Sequence, residues 1–199
     1  MIESFLNFWH QLVEPSQDID AEKRPLSRVL NGGLLILIFA GGIAQTEFMI
    51  RSNQMTVPDL IVIVAIIFFA AAYGLNRKGY FLSAVALVLS AFIIGIFTIQ
   101  LLGRDSSENG TFILFYLIIP ILIVEFFLSL RSYTVVAVLI LGGILSLVSL
   151  GAARLDIFFF FLIFASLVGI ASNNRRRIHR QRQSSLRESD RDIARSSQL

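Results

Sequence analysis

The chain has no cysteine and only two histidines and four prolines in 199 residues. Without thiols there is no disulfide framework and no thiolate chemistry, and structural zinc would have to rest on two histidines and carboxylates. His10 and His179 both lie outside the apolar part of the chain, so histidine ligation of haem or chlorophyll within a membrane is not available. No cofactor is expected. Charge is scarce as well: charged residues make up 16% of the chain against 55% hydrophobic, with a mean hydropathy of +0.74. That balance argues against disorder and against an ordinary water-soluble domain. No catalytic motif occurs, and the expectation is a non-enzymatic protein.

In place of polar chemistry stands an apolar block from Val29 to Ser172. It divides into six runs, Val29–Ile50, Val57–Leu75, Tyr80–Leu102, Thr111–Leu130, Tyr133–Leu150 and Asp156–Ser172. Each is near the roughly 20 residues that cross a bilayer's hydrocarbon core. Lipid offers no partner for backbone N–H and C=O groups, and Leu60 to Ala72 shows no apolar/polar alternation, so the runs are helices rather than barrel strands. Connectors such as Asn76-Arg77-Lys78-Gly79, Gly103 to Gly110 and Arg131-Ser132 are short and rich in turn formers, which makes consecutive helices antiparallel. The expected fold is all-α: a polytopic membrane protein with a six-transmembrane-helix bundle, an N-terminal amphipathic helix and a C-terminal cytoplasmic helix. Residues 1–27 form the amphipathic helix and an acidic connector, 28–172 the membrane domain, and 173–199 a basic cytoplasmic linker.

Topology follows from Lys and Arg. One set of loops and ends holds Lys23, Arg24, Arg28, Arg77, Lys78, Arg131, Arg175, Arg176, Arg177, Arg180 and Arg182, and the other holds only Arg51, Arg104 and Arg154. The positive-inside rule places both termini in the cytoplasm, with the chain multi-pass in a bacterial inner membrane. The net charge of +3 and pI near 9.7 are then a matter of topology and not of nucleic-acid binding. The partners expected are the lipid bilayer and either a second copy or another membrane or signalling protein.

At the N-terminus, Ile2, Phe5, Leu6, Trp9, Leu12 and Val13 recur at helical spacing up to Pro15 and Ser16. Trp9 suits the headgroup level. Two readings stand, a helix docked on the cytoplasmic face of its own bundle and a helix bound to the membrane surface, since Glu3 and Glu14 rather than cations line its polar face.

Inside the block, Gly32, Gly33, Gly41 and Gly42, and the pairs Ala70/Gly74, Ala91/Gly95 and Gly142/Ser146, are placed for close helix packing, within the chain or in a dimer. Eighteen Phe, four of them consecutive at Phe158 to Phe161, read as core packing or lipid-facing surface. Ionisable residues in a membrane call for a partner or a cavity. Glu125 lies five residues beyond Pro120, which removes a backbone bond and kinks a helix, and Asn31 lies at comparable depth as a possible neighbour. Glu47 has Arg51 four residues on. Glu125, Pro120, Asn31 and Glu47 are the candidate sensing or switch residues, and Trp9, Arg77, Lys78, Arg175, Arg176 and Arg177 set topology and interface.

Pro15, the connector Asp18 to Glu22, Arg24 and Arg28-Val29-Leu30-Asn31, with Leu75-Asn76-Arg77-Lys78-Gly79-Tyr80 further on, form an ordered set. That order resembles the six-helix N-terminal membrane sensor modules of bacterial histidine kinases and related signalling proteins. Ser185-Leu186-Arg187-Glu188-Ser189-Asp190-Arg191 is similar to the signalling helix that links such modules to output domains. The resemblance implies signal input passed through the last helix. His179, in Ile-His-Arg-Gln, lacks the acidic-Pro context of a kinase phosphoacceptor and takes no transfer role. The alternatives from other classes are a stand-alone membrane subunit that stabilises a larger complex and, less favoured for want of repeats or broken helices, a small transporter.

Overall fold

The computed structural model describes residues 2–15, 19, 23–52, 55–102 and 113–196, with side chains described for these except at 2–6, 8, 48, 51, 52, 58 and 176–196. Helices are α1 (Ile2–Val13), α2 (Arg24–Ser52), α3 (Val57–Arg77), α4 (Phe81–Leu102), α5 (Ile118–Phe127) preceded by a 3-10 turn (Leu114–Leu117), α6 (Leu130–Ser149) and α7 (Leu155–Ser196). There is no strand among the described residues. Among the described residues, five helices are long and apolar enough to cross a membrane: α2, α3, α4, α6 and α7 as far as Arg175. The sixth apolar segment, Leu114–Phe127, is shorter. Thr111, the connector Gly103 to Gly110 and Arg104 lie outside the described residues.

Local chemistry explains where these helices begin and end. The Asp59 carboxylate accepts hydrogen bonds from both the backbone N–H and the hydroxyl of Thr56, satisfying the start of α3. After α3, Gly79 adopts φ 90°, where a Cβ would be strained, and Tyr80 N–H reaches back to Leu75 O while Gly79 N–H reaches Asn76 O. Gly151, at φ 69°, ends α6 in the same way, with Ala152 N–H bonded to Leu147 O. These two tight caps make α3–α4 and α6–α7 close hairpins.

Two boundaries differ from the expected ones. The break between the fourth and fifth apolar runs falls at Leu128-Ser129 and not at Arg131-Ser132. Leu128 is extended, and the Ser129 hydroxyl accepts from Ser132 N–H, so Ser129 caps α6 and takes Arg131 and Ser132 into its first turn. Pro120, in turn, sits in the first turn of α5, where its missing N–H is tolerated. The turn that precedes it, Leu114–Leu117, has 3-10 geometry and brings Leu114 and Leu117, both fully buried, onto one face.

In the packing, α3 lies between α2 and α4, and α4 carries the contacts to the 3-10 turn, α5 and α6, while α7 packs on α6. Phe81 at the start of α4 meets Phe127 at the end of α5, and Phe115 meets Phe160 near the start of α7, with ring centroids 6.1 and 5.1 Å apart. Gln100 Nε2, at the end of α4, donates to Ala152 O after α6 at 2.6 Å. Consecutive segments therefore alternate in direction, and Leu114–Phe127 runs antiparallel to α4 and parallel to α7. Buried Leu34, Ala84, Val88, Val124, Ile140 and Phe161 belong to the common core. Ile36, Phe39, Ile94, Val138, Ile163 and Leu167 face outward as an apolar surface.

Of the small residues, Gly41 lies against Ile66 and Gly95 against Ile61, whereas Gly33, Gly42, Gly74 and Gly142 have nothing within 4 Å of an added Cβ. The close approach in α6 is made by Gly143, on which the Phe97 ring rests.

Candidate functional site

The helix directions gather Lys23, Arg24, Arg28, Arg77, Lys78, Arg131 and Arg175 at one end of the bundle, here called the basic end, and Arg154 at the other. Two polar clusters are built at the basic end.

The first joins α1, α2 and α3. Ser27 and Asn31 are one helical turn apart on α2 and share a face with Asn76 near the end of α3, and all three are fully buried. Asn76 Nδ2 donates to Asn31 Oδ1 at 2.7 Å and to Ser27 O at 2.9 Å, and Asn76 Oδ1 accepts from the Ser27 hydroxyl at 2.9 Å. Asn31 Nδ2 donates to Val13 O at 3.1 Å. A helix leaves its last carbonyls without intrahelical partners. Here the last turn of α1 is met by side chains: Tyr73 OH donates to Leu12 O at 2.8 Å, and Arg77 Nη1 donates to Gln11 O at 3.0 Å and Leu12 O at 3.2 Å. An Arg28–Glu14 ion pair at 2.7 Å closes the edge. The α1 C-terminus is thus docked on its own bundle, with Val13 buried and Trp9 half-buried. Lys78 stays exposed in the α3–α4 turn.

The second cluster joins α5, α6 and α7. Glu125 is paired with Arg175, Nη2 to Oε1 at 3.1 Å, with side-chain exposures of 10% and 52%. The guanidinium also lies 5.8 Å from the centre of the Phe126 ring. On the same stripe of α7, Ala165 O accepts from the Tyr133 hydroxyl, Gly169 lies against the Tyr133 ring, and the buried Ser172 hydroxyl has no partner. Glu125 and Asn31 therefore belong to different clusters, and the expected proximity of the two is not found. Pro120 is buried five residues before Glu125 on the same helix.

At the opposite end, Gln45, Asp59 and Gln100 are buried, and Gln100 Oε1 lacks a partner among the described residues. Glu47 is exposed on the outer face of α2, beside Phe39, Ile43 and Thr46. The Arg51, Arg176 and Arg177 side chains lie outside the described ones, so the expected Glu47–Arg51 pair does too. Among the described residues, no three His, Asp or Glu side chains converge where a metal ion could sit. Between α3 and α4 a cavity of about 280 Å³, lined by Leu60, Val64, Phe68, Ile94 and Thr98, opens to the apolar surface.

In the sequence Asn76 reads only as a turn former, and Ser27 belongs to no motif. The available signal was the Ser27/Asn31 spacing of four at the start of an apolar helix. The Arg175–Glu125 contact joins residues 50 positions apart, and helical periodicity carries no information about it.

No family model, curated protein or solved structure matches this chain.

Proposed function

We propose that the chain is a six-span sensor module of a bacterial inner membrane, with both termini cytoplasmic, that passes a change in helix packing through α7 into the segment beyond residue 172. The direction of Leu114–Phe127 beside α4 and α7 supports six crossings, and the gathering of cations at one end supports cytoplasmic termini. One observation carries the signalling reading. α7 is a single helix of 42 residues that runs from the bundle to Ser196, and Arg175 holds it to Glu125 where its apolar part ends. Continuous helix transmits a shift or tilt at the bundle to its far end, and any stimulus must favour one arrangement by differential binding.

Two measurements test this. A gene product much heavier than 22.2 kDa in native membranes identifies an attached output domain. Its activity should then change in Glu125→Gln and Arg175→Gln at unchanged protein abundance. Equal loss of abundance and activity, or a product at 22.2 kDa that co-purifies with a larger membrane complex, overturns the sensor reading in favour of a structural subunit.

A further inference from the structure

We propose that the exit of α7 binds anionic phospholipid headgroups, and that lipid phosphate competes with Glu125 for Arg175. This deepens the reading of α7 as the transmitting element, and rests on it.

Arg175 is the point of competition. A guanidinium carries five N–H donors, and the contact with Glu125 is a single Nη2 to Oε1 pair with the Arg175 side chain 52% exposed. Donors remain for a second anion. Leu167 and Ile170, just before it on α7, are each 61% exposed and belong to the lipid-facing surface. Arg175 lies five residues beyond Ile170, about 7 Å along the helix. That depth is where phosphates begin, and the exposed Phe126 ring beneath the guanidinium suits the same level.

The charge is complementary to such a surface. α7 has no acid between Asp156 and Glu188, yet it carries Arg175, Arg176, Arg177, Arg180 and Arg182 within eight positions. A cluster of that size directly after a span attracts anionic lipid. At about 100° per residue the five arginines spread over more than half of the helix circumference. That distribution fits a headgroup layer that surrounds the helix, whereas a docking acidic peptide would call for one basic face. Phosphate taken up at Arg175 weakens the hold on Glu125 and frees α7 from α5, which makes the anionic lipid content of the inner leaflet the class of stimulus.

The absence of cysteine allows a direct test. Spin labels at Ser83→Cys and Ser184→Cys in the full chain report the distance from the start of α4 to the α7 stalk. Distances are measured in nanodiscs of phosphatidylcholine, in the same discs with phosphatidylglycerol added, and in phosphatidylcholine discs with inorganic phosphate in the buffer. The expected result is a shift of about 5 Å with phosphatidylglycerol alone, the displacement that roughly 13 Å of helix gives for a tilt change near 20°. Replacing Arg176, Arg177, Arg180 and Arg182 by Gln should abolish that shift. Glu125→Gln, or Arg175→Gln if the first does not fold, should show the shifted distance already in phosphatidylcholine. Identical distances in neutral and anionic discs overturn the lipid site, and a shift with inorganic phosphate overturns the lipid as its source. If the lipid effect is missing while Glu125→Gln still shifts the distance, only the lipid inference fails. If neither Gln variant moves the stalk in any disc, the transmitting role of α7 fails with it.

Discussion

Asn76 and Asn31 meet amide to amide, with Asn76 Nδ2 donating to Asn31 Oδ1 at 2.7 Å and neither residue exposed. Their orientation is set by backbone carbonyls, because Asn76 also donates to Ser27 O and Asn31 donates to Val13 O. Asn76→Leu strands the Asn31 carbonyl and the Ser27 hydroxyl, and should cost about 1–2 kcal/mol. Asn31→Leu should cost a similar amount. The double variant should cost clearly less than the sum, since it removes donor and acceptor together. Reversible unfolding in mixed micelles measures all three, and strictly additive losses would show that the amides do not act as a pair.

Tyr73 and Arg77 together cap α1, and they belong to α3, the central helix of its half of the bundle. Removing both donors in Tyr73→Phe/Arg77→Met leaves α1 held by Asn31, the packing of Val13 and the exposed Arg28–Glu14 pair, which contributes little. Amide exchange in residues 2–13 should rise at least tenfold, corresponding to about 1.4 kcal/mol of lost docking. Exchange in α3 and α4 should stay as it was. A matching rise throughout the bundle would mean that the two side chains stabilise the fold as a whole rather than the docking of α1.

Much of this architecture is legible in apolar run length, because a membrane span leaves few other options for the backbone. The five long helices fall where hydropathy puts them. What run length does not carry is the detail decided by single side chains. Ser129 caps α6 and moves a boundary by three residues; Gly143, and not its neighbour Gly142, faces a ring; Asn76 turns inward at a helix end that composition marks only as a turn. Glu125 stood out as an acid in an apolar run, but the choice of Arg175 over Asn31 as its partner depends on which helices become neighbours.

The Gly142/Gly143 pair offers a test with an internal control. A Cβ at Gly143 would lie 2.5 Å from Phe97 Cζ, while nothing lies within 4 Å of one at Gly142. Gly143→Ala should destabilise by about 1–3 kcal/mol through overpacking, and Gly142→Ala should be close to neutral. Phe97→Leu should recover most of the loss in Gly143→Ala. Equal effects of the two alanines, measured by the same micelle unfolding, would remove Phe97 as the cause.

Pro120 makes the sharpest claim about how the chain sets its own geometry. If the missing donor at Pro120 is what tightens Leu114–Leu117, Pro120→Ala restores an N–H that can bond Tyr116 O, and the turn should relax to α-helix. Turning at about 100° instead of 120° per residue rotates Leu114 roughly 60° away from Leu117 and swings Phe115 with it. Phe115 now lies 5.1 Å from Phe160, ring centre to ring centre, so cysteines at these two positions, whose backbones are held a side chain's reach apart on each side, should be bridged by a short bifunctional thiol reagent in an otherwise cysteine-free chain. In the Pro120→Ala background the yield should fall several-fold. An unchanged yield would mean that packing of the buried Leu114 and Leu117 holds the turn without help from the proline. Glu125 would then owe its position beside Arg175 to the core and not to the backbone five residues before it.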